Sequence, residues 1–186
     1  MAGSLIKVDE FTISSPVASV ILGGGSSGSS GLNASIDSTY DVYMVKYNNL
    51  EVDTDTRSVG FRVTVSGTAD TSSNYDEAYK ALVTTGTFGN GSKTNENFFL
   101  FSLGDSLGTA GNETANGIFY LFNFANSSEY SFFTMETTQV NSNGDHRGQQ
   151  GGGVHTVAQA CDGIQIILNG AGNISAGTFT LYGLKK

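Results

Sequence analysis

The chain has 186 residues with 17 acidic and 9 basic side chains, a formal net charge of −8 with both histidines neutral. That length fits one domain, and folding should remove about 70% of the unfolded surface from water, so neither a metal nor a disulfide staple is required. Nucleic-acid phosphate needs clustered Lys and Arg, and the longest basic run here is Lys185-Lys186, so the charge balance argues against DNA or RNA as a partner.

In chain order, the first apolar runs are Leu5–Ile13 and Val17–Leu22, separated by Ser14-Ser15-Pro16, which reads as a turn. Gly23–Gly31 (GGGSSGSSG) has linker composition. Residues 1–22 therefore read as amino-terminal strands that could act as an assembly arm. Residues 23–31 read as a flexible segment and residues 32–186 as a β-sandwich domain. Tyr40–Tyr47 and Gly60–Ser66 are β-branched and aromatic runs of period two. In the second, Phe61, Val63 and Val65 fall on one face and Arg62, Thr64 and Ser66 on the other. Asn74–Leu82 places Tyr75, Ala78, Tyr79 and Leu82 at helical spacing and is either a short helix or a strand with an irregular entry. Gly86–Asn97 and Gly104–Asn116 read as polar loops. Asn97–Leu103, Gly117–Phe124 and Tyr130–Thr137 read as strands. Gln149–Gly153 reads as a flexible stretch before Val154-His155-Thr156-Val157, and Gly163–Leu168 and Gly177–Leu184 complete the set. About nine or ten strands point to an all-β, two-sheet antiparallel sandwich.

No run approaches the ~20 apolar residues of a membrane helix, and the amino terminus lacks the apolar stretch of a signal peptide. The expectation is synthesis in a cytoplasm without membrane insertion. Cys161 is the only cysteine, and with Ala158, Ala160 and Ile164 around it reads as a small core residue.

Chemistry-bearing residues are sparse. The two histidines are His146, in the polar stretch Asp145-His146-Arg147, and His155. No nucleophile–base–orienter set or G-x-S-x-G elbow accompanies them, so the chain reads as non-enzymatic and without a cofactor. Asp53, Asp55 and Asp70 are oxygen ligands that Ca²⁺ would accept, but alternating acids in a Thr-rich turn are commoner as turn acceptors. Tyr75, Tyr79, Tyr120 and Tyr130 are the aromatics that could stack on a sugar. The adjacent rings of Phe98-Phe99-Leu100-Phe101 and Phe132-Phe133 put large side chains on opposite strand faces. Phe98, Phe99, Phe101, Phe132, Phe133, Tyr120 and Tyr130 are therefore the candidate contact residues of an oligomer.

Ile36–Val45, Ile118–Phe124, Glu129–Phe133, Gly151–Val157 and above all the closing Ser175–Leu184 (SAGTFTLYGL) resemble small virion proteins of tailed, especially marine, bacteriophages. The resemblance covers most of residues 32–186 and implies a jelly-roll or concanavalin-like sandwich used in fibres, spikes or head decorations. It implies other virion proteins as partners, a homo-oligomer that could be a trimer, and location in the virion. A lectin-like module that attaches to a host-surface glycan is the alternative it leaves open. It brings no catalytic motif.

Overall fold

The alternation of β-branched and aromatic residues becomes thirteen strands and, among the described residues, no helix, in a computed structural model that describes residues 4–25, 34–86, 88–102 and 107–185. In chain order they are β1 (Ser4–Thr12), β2 (Ser19–Gly23), β3 (Val42–Val52), β4 (Ser58–Val65), β5 (Thr68–Ala69), β6 (Tyr75–Val83) and β7 (Gly89–Glu96). There follow β8 (Phe99–Leu100), β9 (Ala115–Phe122), β10 (Ser131–Val140), β11 (His146–His155), β12 (Gly163–Asn169) and β13 (Ile174–Lys185). Eight form one antiparallel sheet in the order β1-β13-β3-β9-β10-β11-β6-β7, and five form a second, β2-β12-β4-β5 with β8 also on β4. The two pack face to face as a β-sandwich. Thirteen strands exceed the nine or ten that alternation picks out because β5 and β8 are two residues each, and β7 and β11 are built from Gly, Asn and Gln.

The outer turns of the chain nest: β1 pairs β13 in one sheet while β2 pairs β12 in the other. The first two strands, legible as a possible arm, are thus edge strands of their own sandwich. Asp9 ties them together, its buried carboxylate accepting the amide of Gly23 at 2.9 Å and that of Glu10 at 2.8 Å. Pro16 lies between β1 and β2, as its fixed φ favours. Of the Gly/Ser segment, Gly23–Gly25 are placed, with Gly24 N–H donating to Asp162 O at 2.7 Å, and residues 26–33 lie outside the described residues.

Inward-facing side chains from both sheets interdigitate around Phe61 of β4. Its ring stacks on Phe119 at 5.2 Å between centroids and meets Phe99 and Phe133 at 5.1 Å each. Such pairs add about 0.5–1.5 kcal/mol each beyond the area they bury. Residues 74–82 settle as strand β6. It sends Tyr75, Glu77 and Ala81 inward at period two, and the backbone is held on both sides by β11 and β7. The Gly86–Asn97 loop expectation gives way to the edge strand β7, and the Gln149–Gly153 stretch to an interior strand. There the glycines are a packing requirement. A Cβ on Gly153 would lie 2.5 Å from Asp76 O and 2.6 Å from Phe133 Cε1, and one on Gly152 would lie 2.4 Å from Phe133 O. No helix of the described residues is long and apolar enough to cross a membrane.

Candidate functional site

Strand register decides which member of each Phe pair is available. Phe133 pairs across β9 and β11 on the inward face and is 2% exposed, whereas Phe132 points outward and is 43% exposed. The outward neighbours of Phe132 are Phe122 on β9 and Val154 on β11, and Phe122 pairs in turn with Val42 on β3. Val42–Phe122–Phe132–Val154 is therefore one continuous apolar row across four strands of the eight-stranded sheet. Beyond it at the β1 edge, the paired Leu5 and Leu184 are also exposed. One step along the strands the outward residues are Tyr182, Met44, Tyr120, Thr134 and Gly152, paired in that order. A further step gives Thr180, Lys46, Ile118, Glu136, Gln150 and Lys80. Neighbouring side chains about 5 Å apart in such rows make a contiguous surface.

The other candidate contact residues divide. Phe99 and Phe101 are core residues, 1% and 0% exposed, and with Phe133 they are removed from the interface set, because β8, the bend after it and β10 turn these rings toward Phe61. Phe98 is half-buried. It covers Gly60, and the Arg62 guanidinium lies 5.9 Å from its ring centroid. Tyr120 is half-buried within the outer face. Tyr130 is exposed at the approach to β10. Among the sugar-stacking candidates, Tyr75 is wholly buried, its hydroxyl donating to Asp70 O at 2.7 Å, so no ligand can reach it. Tyr79 lies half-buried over Gly91.

A cleft of about 420 Å³ opens at the end of the sandwich next to the apolar row. Tyr40, Asp41, Asn123, Asn126 and Ser127 are among its lining residues. Tyr40 packs edge-on against Tyr43 at 5.5 Å and over Gly183, and Asn123 holds a left-handed backbone with φ of 61°. The sequence did not single out Tyr40 as a cleft residue, since it opens an ordinary strand pattern. The turn Asn123–Ser128 was the available signal.

The histidines sit apart from this face. His146 begins β11, exposed, with its Nε2 2.7 Å from Thr138 Oγ1. His155 ends β11 inside the core, and its Nε2 lies 3.2 Å from Asp70 Oδ2. A carboxylate can only accept, so Nε2 carries the proton and Nδ1, buried without a partner, does not. Burial holds the His155 pKa below its ordinary value, with Asp70 opposing. Burial pushes the Asp70 carboxyl up, and the bonds from Ser72, Gln159 and His155 outweigh it, leaving it below the usual range. The nearby hydroxyl of Ser131 donates to Cys161 Sγ at 3.6 Å. Burial raises the Cys161 thiol to about 11, which leaves it protonated and unreactive. This cluster clamps one end of the core, with His155, Ser131 and Cys161 buried and Asp70 partly exposed at its rim.

Asp53 and Asp55 serve as turn acceptors. Asp53 takes the Asn173 amide at 2.7 Å and its side-chain amide at 2.8 Å, which lowers its pKa, and Asp55 takes the Thr56 amide at 2.9 Å. Among the described residues no three His, Cys, Asp or Glu side chains gather as a metal site would need. In comparisons with protein-family models, curated proteins and solved structures, nothing matches the chain.

Proposed function

We propose that the chain is a non-catalytic assembly module, a structural component exposed on the capsid or tail of a tailed-phage particle. Its contact with neighbouring protein is the outer face of the eight-stranded sheet. The observation that carries this reading is the unbroken row Val42–Phe122–Phe132–Val154, apolar on a face that the sandwich itself leaves uncovered. The virion setting rests on the resemblance of residues 32–186, and the particle supplies both its partners and its location.

The cleft beside Tyr40 favours a second reading, a lectin-like host-attachment module. An aromatic face with Asp and Asn oxygens and amides at its rim is the chemistry that recognises a sugar's apolar face and hydroxyls. One experiment separates the two. Phe132→Asp places a charge at the centre of the apolar row without touching the core. It should fold normally and fail to enter particles. Tyr40→Ala should enter particles at the normal level. Normal incorporation of Phe132→Asp, with loss of host attachment in Tyr40→Ala, would replace the first reading by the second.

A further inference from the structure

We infer that the partner of the outer face is a second copy of this chain, packed sheet on sheet about a two-fold axis that runs along β9. The inference rests on the assembly reading above and names the occupant of the face. An isologous interface must be self-complementary: what lies on one side of the axis must fit what lies on the other. In the charged row, Ile118 of β9 is the centre. Lys46 stands one strand away on β3 and Glu136 one strand away on β10. Two strands out, Thr180 of β13 balances Gln150 of β11. Three strands out, Glu10 of β1 balances Lys80 of β6. Rotation about β9 thus sets each Lys46 against the copy's Glu136 and each Glu10 against the copy's Lys80. Among the described residues, neither Lys46 nor Lys80 has an ion pair within its own chain.

Side-chain size follows the same symmetry. In the adjacent row the axis passes through Tyr120 and sets the ring of Tyr182 opposite Gly152. Gly152 opens a hollow of about 380 Å³ with Ala78, Ser92 and Val154. That hollow is built in, because the Phe133 carbonyl leaves no room for a Cβ at this position. In the apolar row Phe122 meets itself and Val42 meets Phe132. The face is also nearly neutral in a chain of net charge −8. Lys7, Lys46 and Lys80 stand there against Glu10, Glu51, Asp76 and Glu136.

Packed sheets lie about 10 Å apart, and with the axis along β9 the two central strands run parallel; Lys46 and Glu136, next to the axis, are the pair least affected by the twist of the sheets. Five central strands of 8 to 12 residues present roughly 24 Å by 30 Å, near the ~800 Å² per partner of a standard interface.

Sedimentation equilibrium of the full chain tests the pairing. Lys46→Glu and Glu136→Lys should each weaken the dimer at least about tenfold, since each opposes like charges across the axis. The double exchange restores opposite charges in both copies and should recover affinity to within about threefold of the natural chain. Both sites are exposed, and unchanged thermal unfolding will show that the variants fold. A natural chain that stays monomeric at high concentration, or a double exchange no better than either single one, would overturn the pairing. A monomer that still enters particles through Phe132 would leave the assembly reading standing. A dimer with charge-exchange rescue, in a protein absent from particles, would overturn the particle setting alone.

Discussion

Phe61→Ala should cost about 4 kcal/mol of folding stability, the largest effect of any single truncation in this chain. Phe61 is wholly buried and its ring contacts four others, Phe99, Phe101, Phe119 and Phe133, which come from both sheets. Removing the ring forfeits its transfer from water and leaves a cavity. The surrounding rings cannot close it, because Phe99, Phe119 and Phe133 are fixed by strand register and Phe101 by its backbone bond to Val59. In a domain whose net stability is about 5–15 kcal/mol, this loss should lower the melting temperature by roughly 10 °C. Calorimetry of the purified variant checks it. Phe132→Ala, at a ring 43% exposed where Phe61 is wholly buried, should change the midpoint by no more than a degree or two, since its ring already meets water.

Glu77→Gln should be stabilising at neutral and alkaline pH. Glu77 faces inward from β6 and is 5% exposed. Its Oε2 accepts the Leu100 amide at 2.8 Å and its Oε1 is buried without a partner. Burial raises its pKa from 4.5 to about 7, against the Leu100 bond and Lys93 on β7, which favour the charged form, while Glu96 opposes it. The folded chain therefore keeps a proton that the unfolded chain has given up. The stability this contributes is fully present below pH 4.5 and is lost as pH rises through about 7. At 1.36 kcal/mol per unit the loss reaches up to about 3 kcal/mol. Glutamine keeps the acceptor for Leu100 and carries no charge. The stability difference between Glu77→Gln and the natural chain should thus grow by that amount from pH 4 to pH 8, as denaturant titrations at the two values will measure. A difference independent of pH would mean that folding leaves the Glu77 pKa unshifted.

Alternation made β4 legible, since Phe61 and Val63 pack inward as their spacing requires. Paired rings such as Phe132-Phe133 announce a strand but not which ring is covered; that depends on Phe122 and Val154 across the ladder. Strand β11 was hidden because glycine has no side chain to alternate. What makes it a strand is the close approach of β6 and β10 to Gly151–Gly153, visible only in three dimensions. Residues 74–82 carried helical spacing because Ala78 and Leu82 sit on the outer face while Tyr75 and Tyr79 sit on the inner one. The Asp70–His155 clamp joins residues 85 apart in the chain, and the cleft beside Tyr40 joins turns equally remote. The candidate interface was partly legible, through Phe132, Tyr120 and Tyr130. The charge symmetry about β9 was not, for it emerges from the register of seven strands at once.

Quantitative composition of purified particles tests the central claim most directly. A particle component bound through its apolar sheet face should be present in every particle at a fixed copy number set by the particle's symmetry, retained through washing at high salt. Particles that lack the chain, or carry it in variable trace amounts removed by washing, would contradict it.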